Sequence, residues 1–249
     1  MPSRKTAISF GLVNIPVELN PVIKNNDTAF NMLHQKCGSR IKQQRVCPHC
    51  EEEVKISDII KGYQYTNDKY ITFTEDDFAK LQVQSDNTLE IIAFVNLKDI
   101  DPIYYEKSYY LTTKNSSKAF SLFKKALNDA GKVAIAKTVL GYKSYYVVLR
   151  FGKNNILMNT LYFEEEINLE EESLEEEFTK AELAMATKLI DAMSDEFKPE
   201  TYTDEYQNRI KEAIASKVKG EKIIKPKDKK TQNIADLMTA LEQSIKKAK

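Results

Sequence analysis

Three runs rich in β-branched and aromatic residues, 133–140, 144–151 and 156–163, follow one another with only three or four residues between them. Runs of this length and composition form strands. Further runs of the same kind lie at 70–73, 89–96 and 108–113. Residues 8–19 alternate apolar and polar around Gly11 and Pro16, the pattern of a strand, a bend and a second strand. Many short strands at regular spacing predict a barrel, so the fold class expected is mixed α/β, mainly β.

Two helices are expected to interrupt the strands. One covers 75–81, where Thr74 and Asp77 have capping-box spacing; the other covers 118–130, opened by Ser117 and closed by Gly131. After Phe163 the chain turns glutamate-rich and then helical, with Phe178, Leu183, Ala186, Leu189, Ile190 and Met193 recurring at helical spacing. A second helix carries Tyr206, Ile210, Ala213 and Ile214. A Lys/Pro-rich linker, 219–230, precedes a third, on which Ile234, Leu237, Met238, Leu241 and Ile245 form one apolar stripe. That stripe either packs on its own domain or faces a partner. The expected organisation is a β domain over 1–165 with a cysteine-containing insert at 34–50, an acidic helical region at 166–218, the linker, and a C-terminal amphipathic helix at 231–249. No internal repeat is evident.

Formal net charge is zero, but charge is segregated. Residues 107–153 hold nine Lys and one Arg against Asp129 alone, a net +9. Residues 164–205 hold sixteen acids against three Lys, a net −13, and 217–249 hold ten Lys against four acids, a net +6. Such blocks predict one face for polyanions and another that repels them. Lysine outnumbers arginine in the +9 block, and lysine suits phosphate contact better than bidentate base reading, so sequence-independent backbone binding is the expected mode. The candidate contacts are Arg40, Lys42, Arg45, Lys124, Lys125, Lys132, Lys137, Lys143, Arg150 and Lys153. Aromatic residues interleave with this block, among them Tyr109, Phe123, Tyr145 and Phe151. At strand and helix spacing they are expected to pack a core rather than to stack on bases.

The most specific chemical signal is His34-x2-Cys37-x9-Cys47-x2-Cys50, two ligand pairs whose spacing can close a tetrahedral Zn²⁺ site. It uses all three cysteines. His49 competes as fourth ligand, and three free thiols are the alternative reading. Four protein ligands would leave no open position, so the role expected of zinc is structural.

Enzyme chemistry lacks parts. No GxxxxGK[ST] loop occurs, and both histidines lie beside cysteines. The odd cysteine count and the absence of a charged and apolar leader point to a reducing, cytoplasmic setting, and no apolar run approaches the roughly 20 residues of a membrane helix.

The chain resembles the bacterial Ku family from end to end. The resemblance is carried by ISFGLVNIPV at 8–17, LHQKCGSRIKQQRVCPHC at 33–50, DIIKGYQY at 58–65, KYITFTEDD at 69–77, FVNLKDIDPIYYEKSYYL at 94–111 and GKVAIAKTVL at 131–140. It continues through LAMATKLIDAM at 183–193, YTDEYQNRIKEAIASKV at 202–218 and IADLMTALEQSI at 234–245. Arg4 and Thr6 stand where the family usually has tryptophan and glycine, and the lysine-rich tail of some members is short here. The resemblance implies a β-barrel core with an extended arm and a non-enzymatic homodimer closing a ring around duplex DNA ends. It also implies a C-terminal region that recruits the bacterial end-joining ligase, ligase D. The +9 block would line the ring and the −13 block would lie away from phosphate. A zinc-ribbon regulator binding internal sites is the alternative, and a helical scaffold without nucleic acid is a third reading that leaves the +9 block unexplained.

Overall fold

The computed structural model describes residues 4–81, 87–114, 117–141, 143–169 and 178–223, with positions 241 and 244. The chain divides into two compact units, one of residues 1–25 and 31–169, the other of 26–30 and 170–249.

The first unit is built on a closed seven-stranded barrel. Its strands are β1 (Arg4–Phe10), β2 (Val13–Pro21), β5 (Thr88–Asn96), β6 (Tyr105–Thr112), β7 (Lys132–Leu140), β8 (Lys143–Phe151) and β9 (Ile156–Leu161), in the order β1-β2-β6-β9-β8-β7-β5. Neighbours run antiparallel except at the closure, where β1 pairs parallel with β5 through Ala7↔Thr88, Ile8↔Leu89 and Ser9↔Glu90. Closure removes the free sheet edges that a seven-stranded open sheet would expose.

Alternate residues of each strand face inward, as the two-residue period of a strand requires. Ala134 and Ala136 of β7, Val147 and Leu149 of β8, and Ile156 and Met158 of β9 are buried together with Ile8, Leu89 and Leu111. Four aromatic residues of the basic block take the packing role, Phe123 in this core and Tyr109, Phe120 and Tyr145 against it, whereas Tyr146 is exposed.

The first turn falls at Gly11 (φ +57), between the paired Phe10 and Val13. Pro16 lies inside β2, opposite Ala7. Proline has no N–H to give, and β6 pairs with β2 only from Glu18 onward, so no ladder is broken on that side.

Helix α1 (Glu75–Leu81) follows a reciprocal Thr74–Asp77 cap, the Asp77 N–H donating to Thr74 Oγ1 at 3.2 Å and the Thr74 N–H to Asp77 Oδ2 at 2.9 Å. Helix α2 (Lys118–Ala130) begins with the Phe120 N–H donating to Ser117 Oγ at 3.2 Å and ends at Gly131 in the left-handed region. It drives Phe123 and Leu127 into the barrel core. A separate hairpin, β3 (Lys61–Thr66) with β4 (Lys69–Phe73), leaves Tyr63, Tyr65, Tyr70 and Ile71 exposed.

The second unit contains α3 (Lys180–Met193), with a Thr179–Glu182 capping box, and α4 (Glu205–Val218), capped by Asp204. Gln207 of α4 is buried, and its Oε1 accepts from the N–H (3.1 Å) and hydroxyl (2.9 Å) of Thr28. Leu183, Ile190 and Met193 of α3 remain exposed. Of the C-terminal stripe, Leu241 is helical and half-buried; Ile234, Leu237, Met238 and Ile245 lie outside the described residues. Among the described residues no helix is long and apolar enough to cross a membrane.

Candidate nucleic-acid interface and cysteine insert

Strand reversal divides the +9 block. Because β7 and β8 are antiparallel with Ala134 opposite Leu149 and Leu140 opposite Lys143, residues near the start of β7 and the end of β8 share one end of the barrel. That end gathers three of the candidate lysines. Lys132 donates to Asn96 Oδ1 at 2.6 Å. Lys124 reaches from α2 to the main-chain carbonyl of Asn154 in the β8–β9 turn, with its ammonium 5.7 Å from the Phe151 ring centroid. Lys153 is exposed in that same turn. Lys125 pairs along the helix with Asp129 at 3.0 Å.

Lys143 is at the opposite end, where it meets acid. Its ammonium donates to Glu166 at 3.2 Å, which joins the +9 block to the −13 block rather than separating them. Glu166 is held below its ordinary value by the N–H of Phe163 and by Lys143, and Lys143 is raised by Glu166. Nearby Glu106 bonds Lys107 at 2.8 Å and accepts from the Thr160 hydroxyl at 3.1 Å. Those contacts lower the Glu106 carboxyl, with Lys107 the largest cause, and raise the Lys107 ammonium.

Of the remaining two barrel candidates, Lys137 lies at mid-strand and Arg150 near the end of β8. Lys137 is exposed on β7, in register with Glu90 on one side and Tyr146 on the other. Arg150 is half-buried and structural: its Nε donates to Asn159 Oδ1 at 3.1 Å, and Asn159 Nδ2 donates to Ser108 Oγ at 2.7 Å, a polar ladder across β8, β9 and β6. Composition gave no signal for Asn159 or Ser108, since their role depends on which strands become neighbours. The face of the block is therefore not uniformly cationic: at the end opposite Lys143, Lys132 and Lys153 are exposed and Lys124 is half-buried, and among the described residues none of the three forms an ion pair.

The insert adds a second basic surface. Arg40, Lys42 and Arg45 are exposed on it, and among the described residues they form no ion pair. His34 and Cys37 lie in one turn, Nδ1 to Sγ 3.1 Å; Cys47 and Cys50 lie in another, Sγ to Sγ 3.4 Å. His49 is in the second turn, between its two cysteines. Among the described residues no three His, Cys, Asp or Glu side chains form a single metal-binding group, so the four expected ligands stand as two pairs. Backbone N–H groups lower the thiols of Cys37 (from Ser39) and Cys47 (from Cys50 and His49), whereas Cys50, bonded to the Cys47 sulfur, is raised.

The Ku70/Ku80 beta-barrel domain family matches residues 9–185, well over half the chain. The chain belongs to the Ku family. The Non-homologous end joining protein Ku of Lachnoclostridium phytofermentans is 36% identical over 250 residues, covering 100% of this chain and 97% of the relative. The protein of the same name from Desulfitobacterium hafniense is 41% identical over 97% of this chain and 86% of its own. That of Bacillus subtilis is 32% identical over 97% and 80%. The similarity to the first of these Ku relatives covers the whole chain, the insert and helices α3 and α4 included.

Proposed function

We propose that the chain is a non-enzymatic DNA end-binding protein of bacterial non-homologous end joining, acting as a homodimeric ring that receives duplex ends and recruits the end-joining ligase. The observation that carries this reading is similarity along the whole chain to proteins named for that pathway. The structure supplies chemistry in keeping with it. Lysines at one barrel end and arginines on the insert suit phosphate contact without base reading. The β3–β4 hairpin leaves Tyr63 and its register partner Ile71 exposed on one face and Tyr70 on the other, apolar surface suited to a self-complementary contact in a two-fold dimer.

A trapping experiment tests the ring. Protein loaded on linear duplex, which is then circularised by ligation, stays bound through a high-salt wash if it encircles DNA. A surface binder dissociates equally from the linear and circularised forms. Equal release from both would favour the zinc-ribbon alternative that binds internal sites.

A further inference from the structure

The two turns of the insert are one structure repeated. In the first, the His34 N–H donates to the Ser39 carbonyl (2.8 Å), the Gly38 N–H to the His34 carbonyl (2.8 Å) and the Ile41 N–H to the Met32 carbonyl (3.1 Å), with Leu33 bridged to Arg40. In the second, the Cys47 N–H donates to the Glu52 carbonyl (2.9 Å), the Glu51 N–H to the Cys47 carbonyl (2.8 Å) and the Val54 N–H to the Arg45 carbonyl (2.7 Å), with Val46 bridged to Glu53. Every partner in the second is the corresponding partner in the first displaced by the same interval. The backbone sign repeats too: Gly38 has φ +68 and Glu51 φ +58. Glycine takes that conformation freely, but glutamate does so at a cost, so the second turn is held in its shape against local preference.

Burial supplies little to hold it. Between Met32 and Val54 no residue is buried, and only Cys47 and Val54 are half-buried. Leu33, Ile41 and Val46, the apolar residues flanking the turns, are about half exposed (55%, 49% and 56%). A small unit without a core needs another source of folding free energy, for which disulfides and metal ions are the usual ones. With three cysteines, of which Cys37 and Cys50 follow their partners at x2 spacing, a metal ion is the one that uses both turns.

We propose that the insert is a duplicated metal-binding turn that takes one structural Zn²⁺ through His34, Cys37, Cys47 and Cys50. The repeat decides the fourth ligand. His34 occupies the place of Cys47, whereas His49 occupies the place of Lys36, a position that carries no ligand in the first turn. The pairs stand 3.1 and 3.4 Å apart. Ligands of a tetrahedral zinc with bonds of 2.0–2.3 Å are separated by about 3.5–3.8 Å, so within each turn the two ligands need part only by a few tenths of an ångström, while the two turns, which form no single group here, must close on one ion. Joining the two pairs on one ion would cross-link residues 34–37 to 47–50 and fix the basic residues between them, Arg40, Lys42 and Arg45.

The test uses the full chain purified without chelator. Elemental analysis is expected to give about one zinc per chain. His49→Ala and His34→Cys keep it, whereas His34→Ala weakens zinc by at least about tenfold in a competition against a chromogenic chelator. The Cys47→Ser/Cys50→Ser double variant loses it. Replacement by Co²⁺ should give thiolate-to-cobalt charge-transfer absorption, which the double variant lacks. If that variant fails to fold, wild-type protein carries the test: chelation should open protease cleavage within 32–54 while leaving the far-ultraviolet dichroism of the barrel unchanged, and added Zn²⁺ should close it again. Wild-type protein with well under one zinc per chain, and cleavage indifferent to Zn²⁺, would overturn the site. A loss in His49→Ala matching that in His34→Ala would overturn the ligand assignment.

Discussion

Lys143 and Glu166 join the most basic stretch of the chain to the acidic stretch that follows it, the ammonium donating to the carboxylate at 3.2 Å. An ammonium so engaged must leave its carboxylate to contact phosphate. Glu166→Gln is therefore expected to strengthen duplex binding. Lys143→Glu should flatten the salt dependence less than either single reversal, Lys132→Glu or Lys153→Glu, at the other barrel end away from Glu166. Each lost phosphate contact removes about 0.9 from the log–log slope against salt. Fluorescence anisotropy across a salt series checks both. A Lys143→Glu effect equal to that of Lys132→Glu or Lys153→Glu would show that Glu166 does not restrain it.

The Glu106–Lys107 pair sets an acid and a base limb to barrel stability. The Glu106 carboxyl is depressed below 4.5 in the fold, so its contribution is present above that value and is lost as pH falls through the depressed one. The Lys107 ammonium is raised above 10.5, so its contribution is full below that value and is lost as pH rises through the raised one. Glu106→Gln should lower Tm at neutral pH and flatten its fall on the acid side. Thermal melts from neutral pH down through 4.5 decide this; parallel curves for variant and wild type would contradict it.

In the second unit, Gln207→Ala removes the acceptor for both the N–H and the hydroxyl of Thr28. Thr28 is half-buried, and such a hydrogen bond contributes about 0.5–1.5 kcal/mol. Hydrogen exchange should accelerate over residues 26–30 and the first turns of α4 and stay unchanged in β7–β9. Unchanged exchange at Thr28 would show that the Gln207 contact contributes nothing to holding that segment.

Deletion of residues 231–249 tests the proposed ligase contact. The account expects dimerisation and end binding to persist and stimulation of ligation by the end-joining ligase to fall. Loss of the dimer in sedimentation would instead place the stripe of Ile234, Leu237, Met238, Leu241 and Ile245 in the fold.

The strands and helices were legible where local pattern and global pairing agree. Helices α1 and α2 have the boundaries their caps predict, because Thr74, Ser117 and Gly131 act locally. Strand β6 begins at Tyr105 rather than at residue 108, since an irregularity in its pairing with β9 between Tyr105 and Ser108 breaks the alternation that marks a strand. Strand β3 escaped notice because Lys61, Gly62 and Gln64 dilute its pattern, and its strand character comes from pairing with β4. The charge blocks were legible as sums but not as surfaces, because antiparallel reversal sends Lys132 and Lys143 to opposite barrel ends. The repeated turn was hidden for a different reason. Only Cys37 and Cys50 are identical between its copies, and the likeness lies in backbone hydrogen bonds that no residue type announces.

Binding of DNA by its ends is the property on which the proposed function rests. Competition of linear duplex against covalently closed circles of the same sequence, at matched mass and salt, tests it most directly. The account predicts that linear competitor displaces a labelled linear probe whatever its sequence, with log K falling against log salt at a slope near −5 if about six phosphates are neutralised. Closed circles should compete little until they are cut once by a restriction enzyme. Equal competition by closed and linear forms would contradict end binding.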